Sequence, residues 1–271
     1  MRYLCHAWVA SIVVAGSATL ASAADLPTKA PVYKAPVAVP YNWSGFYIGA
    51  NAGAHWLRDH DPAYVSANNN FIPSALALIN SAVPNTLTKT GFAAGIHAGY
   101  NWQTSNIVVG LEADFDGLSG SVQRNVDAGI PVLCGLPSCS PVTDSARDRW
   151  MGTLRPRIGV AADRFLLFVT GGAAWSNWTT NHSATYFGGA TVTGVDNTST
   201  TRTGWTAGGG LEYALTANWV GRVEYLYANF GTMTTSYNMT VAGLPGIFTT
   251  IIEPEKLSEN IVRAGISYQF H

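Results

Sequence analysis

The 271-residue sequence has little charge, because Asp, Glu, Lys and Arg together make up only 11% of it. Ordinary soluble domains carry roughly 25%. The charges nearly cancel, at a formal net charge of −1, so the basic surplus of a nucleic-acid-binding protein is missing. The motifs G-x-S-x-G, H-E-x-x-H and the P-loop are missing too. The sequence therefore predicts no nucleic-acid partner, no enzyme, and no metal or cofactor site.

Long apolar runs are also absent after residue 23, where no stretch approaches the ~18 residues of a transmembrane helix. Residues 1–23 instead combine Arg2, a short apolar run over 7–15 and the small residues of 21–23. This order is typical of a secretory signal peptide, which we expect to be cleaved after Ala23. Cleavage would leave 271 − 23 = 248 residues and a formal charge of 14 − 16 = −2.

Residues 24–42 contain four prolines and no helical period. Proline at this density favours an extended, semi-rigid spacer. A disordered terminus is an equally good interpretation. The remaining residues, 43–271, form one further domain.

Two-residue alternation of apolar and other side chains dominates this domain. In residues 109–118, VGLEADFDGL, three acids alternate with Val109, Leu111, Ala113 and Phe115. Seven further segments are predicted strands of the same kind, of which 165–175, the fifth of the eight along the chain, is less regular than the others. They lie at 43–56, 91–102, 149–162, 165–175, 204–215, 219–230 and 259–270.

The connections between these segments alternate in length. Short ones lie near 103–106, 163–164 and 216–218, and long polar ones near 57–89, 117–147, 179–202 and 231–257. Short turns at one rim and long loops at the other are typical of bacterial outer-membrane barrels, which have an even number of strands. We therefore predict an all-β fold: an eight-stranded antiparallel up-and-down transmembrane β-barrel with four long extracellular loops, exported to the outer membrane.

Aromatic residues support a membrane location. All eight tryptophans beyond the signal peptide, Trp178 included, lie at or near predicted strand ends, and indole prefers the membrane–water boundary. The predicted aromatic girdle consists of Trp43, Trp56, Trp102, Trp150, Trp175, Trp205, Trp219, Tyr268 and Phe270.

If the apolar faces meet lipid, the alternate faces point into the barrel. An eight-stranded barrel is only wide enough for its own side chains, so inward charges are buried and must pair. Arginine suits such a place because its planar guanidinium bonds carboxylates bidentately. The predicted lumen ion-pair network consists of Glu112, Asp114, Arg155, Arg157, Glu212, Arg222, Glu224 and Arg263.

Several stretches carry a family resemblance, namely YNWSGFYIGANAG at 41–53, GLEADFDG at 110–117, 208–231 and the final YQF. In these the chain resembles the small outer-membrane proteins of alphaproteobacteria, of the outer-membrane immunogenic or porin-family type, which share the OmpA barrel design. The resemblance covers 43–270. It implies outer-membrane lipid and lipopolysaccharide, the barrel assembly machinery and a host surface as partners. Lys29 and Lys34 of the spacer could also contact cell-wall polymer. Such barrels usually end in an aromatic residue, whereas here His271 follows Phe270.

Other candidate site residues lie apart from the network. Cys134 and Cys139 are the only cysteines of the exported chain, and an oxidising compartment favours a disulfide between them. Asp59, His60 and Asp61 could supply metal ligands, but a solvated loop is the favoured interpretation. His55 and His97 face inward and could meet to bind haem or a metal. Hydrogen bonding within the lumen is favoured for both.

Two classes of function remain. The first is a structural barrel that supports the cell envelope and presents surface loops. The alternative is a narrow porin for small hydrophilic solutes, or a surface protein that binds haem or a host ligand. Inward ion pairs favour the structural class, since eight strands leave little bore.

Overall fold

A computed structural model describes residues 40–60, 65–66, 86–127, 141–188, 190–241 and 248–271. They belong to the compact unit 40–271. The predicted signal peptide, Asp61 and the two cysteines, Cys134 and Cys139, lie outside the described residues. Eight long strands are present in the described part: β1 Gly45–His60, β2 Thr86–Thr104, β3 Ile107–Ser119, β4 Pro141–Ala162, β5 Phe165–Gly188, β6 Ala190–Ala214, β7 Trp219–Val241 and β8 Phe248–Gln269.

These strands close into a barrel. Each long strand pairs antiparallel with the next along the chain, and β1 pairs antiparallel with β8 from Tyr47 opposite Gln269 onward. Two short segments add to the wall: Val65–Ser66 pairs with β8 and Val122–Asp127 with β4. In the barrel wall each long strand therefore has a paired neighbour on both sides. The predicted eight-stranded up-and-down barrel is confirmed. No helix in the described residues is long and apolar enough to cross a membrane.

Alternation of side chains sets which face of each strand turns inward. Along β3, exposed and buried residues alternate from Ile107 to Gly117. From Val109 onward the apolar members are the exposed ones, with Val109, Leu111 and Phe115 each about half exposed. The acids between them are buried. The barrel is therefore apolar outside and polar at the middle of its interior, the reverse of a soluble sheet.

The two ends of the barrel differ. At one end two tight turns, Ser105-Asn106 and Asp163-Arg164, connect neighbouring strands, and their first residues have φ of 58° and 50°. Two-residue hairpin turns need positive φ because their twist then matches that of the strands. We call this the short-turn end. The chain enters and leaves the barrel here, at Gly45 and Gln269.

At the opposite end the strands run much further than predicted. β5 has 24 residues and β6 has 25, whereas a bilayer needs only about 9–11 residues of strand. The predicted loop at 179–202 is therefore almost entirely an antiparallel ribbon. The predicted loop at 231–257 is strand as well, except for 242–247, which lie outside the described residues. Thr is abundant in both stretches, and Thr favours strands.

Inward glycines make room for the large charged side chains. A Cβ on Gly53 would collide with the Cα and Cβ of Arg263, and one on Gly210 would collide with the ring of Phe168. The interior therefore combines glycines, which have no side chain, with residues that have long side chains, such as Arg263. Placing glycines beside long side chains fills the lumen without widening the barrel.

Candidate functional site

The middle of the lumen holds a network of buried charges, and the structure brings all eight predicted members together. Arg155 on β4 lies at its centre and is fully buried. One of its nitrogens, Nη2, donates to Glu112 at 2.7 Å and to Asp114 at 2.6 Å, and Nη1 donates to Glu224 at 2.9 Å. Two of these acids are on β3 and one is on β7. The contacts of Arg155 therefore cross the lumen and do not follow one hairpin.

Glu112 is the second centre of the network. Arg222 donates to both of its carboxylate oxygens, at 2.8 Å and 3.1 Å. Arg157 donates to Glu112 at 3.2 Å and forms an ion pair with Glu212 at 2.9 Å. The Tyr47 hydroxyl donates to Glu112 at 2.7 Å and accepts a hydrogen bond from Arg157. Glu112 therefore links β1, β3, β4 and β7.

Arg263 on β8 completes the network and brings in an acid outside the predicted set. It contacts Glu224 at 2.7 Å and Asp114 at 3.2 Å, and it also pairs with Asp116. Asp116 follows the same two-residue spacing as Glu112 and Asp114, so the alternation alone could have indicated it. With it the network contains five acids and four arginines, and full ionisation would leave 4 − 5 = −1 charge.

An aromatic ring inside the lumen was missed by sequence reasoning. Phe168 on β5 is buried, and the guanidinium carbon of Arg157 lies 4.1 Å from its ring centroid. Arg222 lies 5.4 Å from the same ring. A cation over an aromatic face is stabilised, more so away from water. Inward Leu166 and Phe168 explain why the fifth predicted strand alternates poorly, since both of its faces are apolar.

An apolar plug closes the short-turn end of the lumen. Trp43, which precedes β1, is fully buried there and packs with Val108, Leu166 and Val220. Its indole N–H donates to the carbonyl of Asp163 at 3.2 Å. The prediction that Trp43 belongs to the aromatic girdle is wrong, because its ring points into the barrel end instead of toward lipid.

Tyr41 extends this plug. Its ring lies edge-on to Trp43 at 4.8 Å, and its hydroxyl donates to Gln269 at 3.0 Å. Burial raises the pKa of Tyr41 to about 12, so the hydroxyl keeps its proton. The last residues of the predicted spacer, from 40 to 42, therefore lie against the barrel end.

A larger apolar cluster fills the lumen on the other side of the charges. It includes Leu57, Met151, Trp178, Leu226 and Ile261, all at most 2% exposed. Trp178 was expected near a strand end at the membrane boundary, but it is inside the barrel. Its Nε1–H has no hydrogen-bond partner among the described residues. The charge network is thus enclosed between two apolar layers.

The two inward histidines lie at different levels and do not meet. On the β1–β2 ladder His97 is opposite Gly49, six residues before His55, which corresponds to roughly 20 Å along the strand. His97 contacts the Ser267 hydroxyl at 2.7 Å. His55 bonds the carbonyl of Ser119 at 2.9 Å. A haem held between these two histidines is therefore excluded.

The other girdle residues are on the outward face, at two levels. Six of these rings contact another aromatic ring, as in the Phe115–Trp150 pair, whose centroids are 5.5 Å apart. The level near the short turns contains Trp102, Trp219, Tyr268 and Phe270, and the other contains Trp56, Trp150, Trp175 and Trp205. On β8, eight residues separate the levels at Asn260 and Tyr268, roughly 26 Å along the strand.

Comparison with known proteins shows which family this barrel belongs to. The family described as outer membrane protein beta-barrel domain matches residues 14–270. The chain belongs to this family. The 31 kDa outer-membrane immunogenic protein of Brucella melitensis is 32% identical over 265 residues, covering 95% of this chain and 97% of that protein. The 25 kDa outer-membrane immunogenic protein of Brucella abortus is 30% identical, with 96% and 98% covered.

Among solved structures, the outer membrane protein OprG of Pseudomonas aeruginosa is similar at 13% identity and a TM-score of 0.45, covering 85% of this chain and 98% of that one. The family locates the protein in the outer membrane. In such barrels the short turns are periplasmic and the long connections extracellular. Trp43 therefore plugs the periplasmic end, and the β5–β6 ribbon extends from the extracellular end. The relatives are named as outer-membrane immunogenic proteins and not as enzymes.

Proposed function

We propose that this protein is a sealed structural barrel of the outer membrane that supports the envelope and displays β-ribbons at the surface. The observation that carries the proposal is the set of ion pairs across the lumen. Arg155 and Arg222 of opposite walls both contact Glu112 and Glu224. Side chains that meet across the bore leave no continuous path for solutes.

The layering of the lumen supports the same role. A solute crossing the barrel would have to displace the Trp43 plug, then the charges, then the cluster around Leu226 and Ile261. A porin lumen is polar and filled with water along its length. The apolar layers at both sides of the charges favour a closed barrel over the narrow-porin alternative.

The outer surface fits lipid as its main partner. Large exposed apolar side chains occur on all eight long strands, among them Ile96, Leu167 and Val169 at 60–65% exposure. Such a continuous apolar surface is stable only in contact with hydrocarbon. The two aromatic levels would then mark the headgroup regions, with lipopolysaccharide around the extracellular one.

The two ends of the barrel provide contact surfaces for the other proposed partners, namely the assembly machinery, a host surface and the cell wall. Phe270 is exposed beside Phe46 and Tyr268, so it is available to the barrel assembly machinery although His271 follows it. The extracellular ribbons would contact a host surface, in keeping with the immunogenic relatives. The chain before residue 40 would contact the cell wall.

Single-channel recording tests the proposal. Purified mature protein inserted into planar bilayers is expected to show no steady conductance under conditions in which a known porin conducts. A shift between unheated and boiled samples in detergent gels would establish that the inserted protein is folded. Reproducible open channels from folded protein would instead support the narrow-porin alternative.

A further inference from the structure

Three buried side chains form a second polar site, separate from the charge network. His55 of β1, Asp148 of β4 and Glu259 of β8 are each at most 2% exposed. The imidazole Nδ1 lies 2.7 Å from Glu259 Oε1 and 3.9 Å from Asp148 Oδ2. One donor atom from each residue lies within 4.8 Å of the other two. β1 and β8 are neighbours in the wall and β4 is separate from both, so the site joins two parts of the barrel.

The tautomer of His55 follows from its other nitrogen. Nε2 lies 2.9 Å from the carbonyl oxygen of Ser119, which can only accept, so Nε2 carries a hydrogen. Gly91 leaves the space for this contact, because a Cβ there would collide with Nε2. Nδ1 of the neutral ring is then a lone pair directed at two carboxylates. A histidine that ligates a metal usually donates its other N–H to a carbonyl in this way.

The two acids have few polar partners besides the imidazole. Apart from the 2.7 Å contact of His55 Nδ1 with Glu259 Oε1, the oxygens of Asp148 and Glu259 accept no side-chain hydrogen bond from the other described residues. Their strand neighbours are apolar: Ile261 is opposite His55, Trp178 opposite Asp148 and Leu57 opposite Glu259. Buried charges are normally paired or coordinate metals. A cation between the nitrogen and the two carboxylates would balance the charges that converge in this apolar layer.

We propose that His55 Nδ1, Asp148 and Glu259 bind one divalent transition-metal ion of the zinc class. Two carboxylates balance its charge, and three mixed nitrogen and oxygen ligands leave a fourth position for water. Ca²⁺ is disfavoured because it takes six to eight oxygen ligands. The ion would tie β1 to β8 and to β4 just beyond the charge network, and so hold the extracellular half of the barrel together.

The test is metal content after purification. Mature protein extracted from outer membranes without a metal-affinity tag is stripped with chelator, incubated or refolded with Zn²⁺ or Co²⁺, and desalted. About one equivalent of metal per chain is expected by mass spectrometry. Bound Co²⁺ should also show the visible absorption of a low-coordinate nitrogen and oxygen site.

Variants separate this site from adventitious binding. Asp148→Asn, Glu259→Gln and His55→Gln should each lower the affinity at least tenfold, while Asp116→Asn, a buried lumen acid outside the site, should retain one equivalent. Heat-modifiable migration establishes which samples are folded. The proposal would be overturned if folded parent protein retained no metal after loading with Zn²⁺, Co²⁺ and Mn²⁺. In that case the three groups would share a proton instead of a metal ion. Equal retention by the parent and by all three site variants would overturn it too.

Discussion

At the scale of single residues, we expect truncation of Arg155 to lower the free energy of unfolding the most. Its guanidinium contacts Glu112, Asp114 and Glu224, and all four groups are buried. Arg155→Ala would leave three carboxylates short of a partner inside the barrel. Breaking a buried pair typically costs about 3–5 kcal/mol, so we expect a loss of this size in urea unfolding from lipid vesicles.

The matched control for Arg155 is Arg149, six residues earlier on β4 and exposed. Arg149→Ala should change the free energy of unfolding by less than about 0.5 kcal/mol. A double variant, Arg155→Ala with Glu224→Gln, should recover part of the loss, because the acid left behind no longer carries a charge. Equal stability of Arg155→Ala and the parent would mean that water reaches the network.

Two neighbouring acids of β3 should respond differently to neutralisation. Asp114 accepts bonds from Arg155, Arg263 and Thr153, whereas Asp116 pairs with Arg263 alone and its Oδ1 has no partner among the described residues. Because the network has one acid in excess, Asp116→Asn should change stability by less than about 1 kcal/mol. Asp114→Asn should cost about 3 kcal/mol. The same unfolding assay measures both, and equal losses would show that the excess charge does not matter.

Alternation located the charged residues but not their partners. The inward position of Arg155 and Glu112 follows from the period of two, and the ladder then sets them directly opposite each other on β3 and β4. That register depends on a long connection whose length gives no constraint. Inward apolar residues such as Phe168 and Trp178 were missed or misplaced for a related reason. An apolar side chain fits lipid and the apolar layers of the lumen equally well, so sequence cannot choose between them.

At the scale of elements, the extracellular ribbons extend well past the membrane. The β5–β6 hairpin remains paired from Phe165 opposite Tyr213 to Gly188 opposite Ala190. Only the part below Trp175 and Trp205 falls between the aromatic levels. Polar composition suggested loops here because water solvates polar strands and polar loops alike. Polar composition therefore predicts the position at which a strand leaves the lipid. It does not predict the residue at which the strand ends.

The outer part of this hairpin should be dispensable for folding. Residues 184–194 can be replaced by Asn-Gly, because Ser183 and Val195 are opposite each other and a two-residue turn closes such a pair. The shortened protein should still show the gel shift between unheated and boiled samples. Loss of that shift would mean that the ribbon directs barrel formation, in which case the lumen and lipid contacts alone are insufficient. A shortened turn of Ala-Ala is the control for turn chemistry.

At the scale of the whole molecule, three lumen layers act in series: the Trp43 plug, the charge network and the cluster around Leu226 and Ile261. A barrier in series stays closed when one part is removed. Trp43→Ala and Arg155→Ala are therefore each expected to leave planar bilayers without steady conductance, although a buried Trp→Ala change typically costs about 3–5 kcal/mol of stability. Trp102→Ala, outward and 56% exposed, is the control for Trp43 and should cost less. Open channels in folded Trp43→Ala protein would show that the periplasmic plug alone closes the barrel, and that the charges and the extracellular cluster leave a conducting path around them.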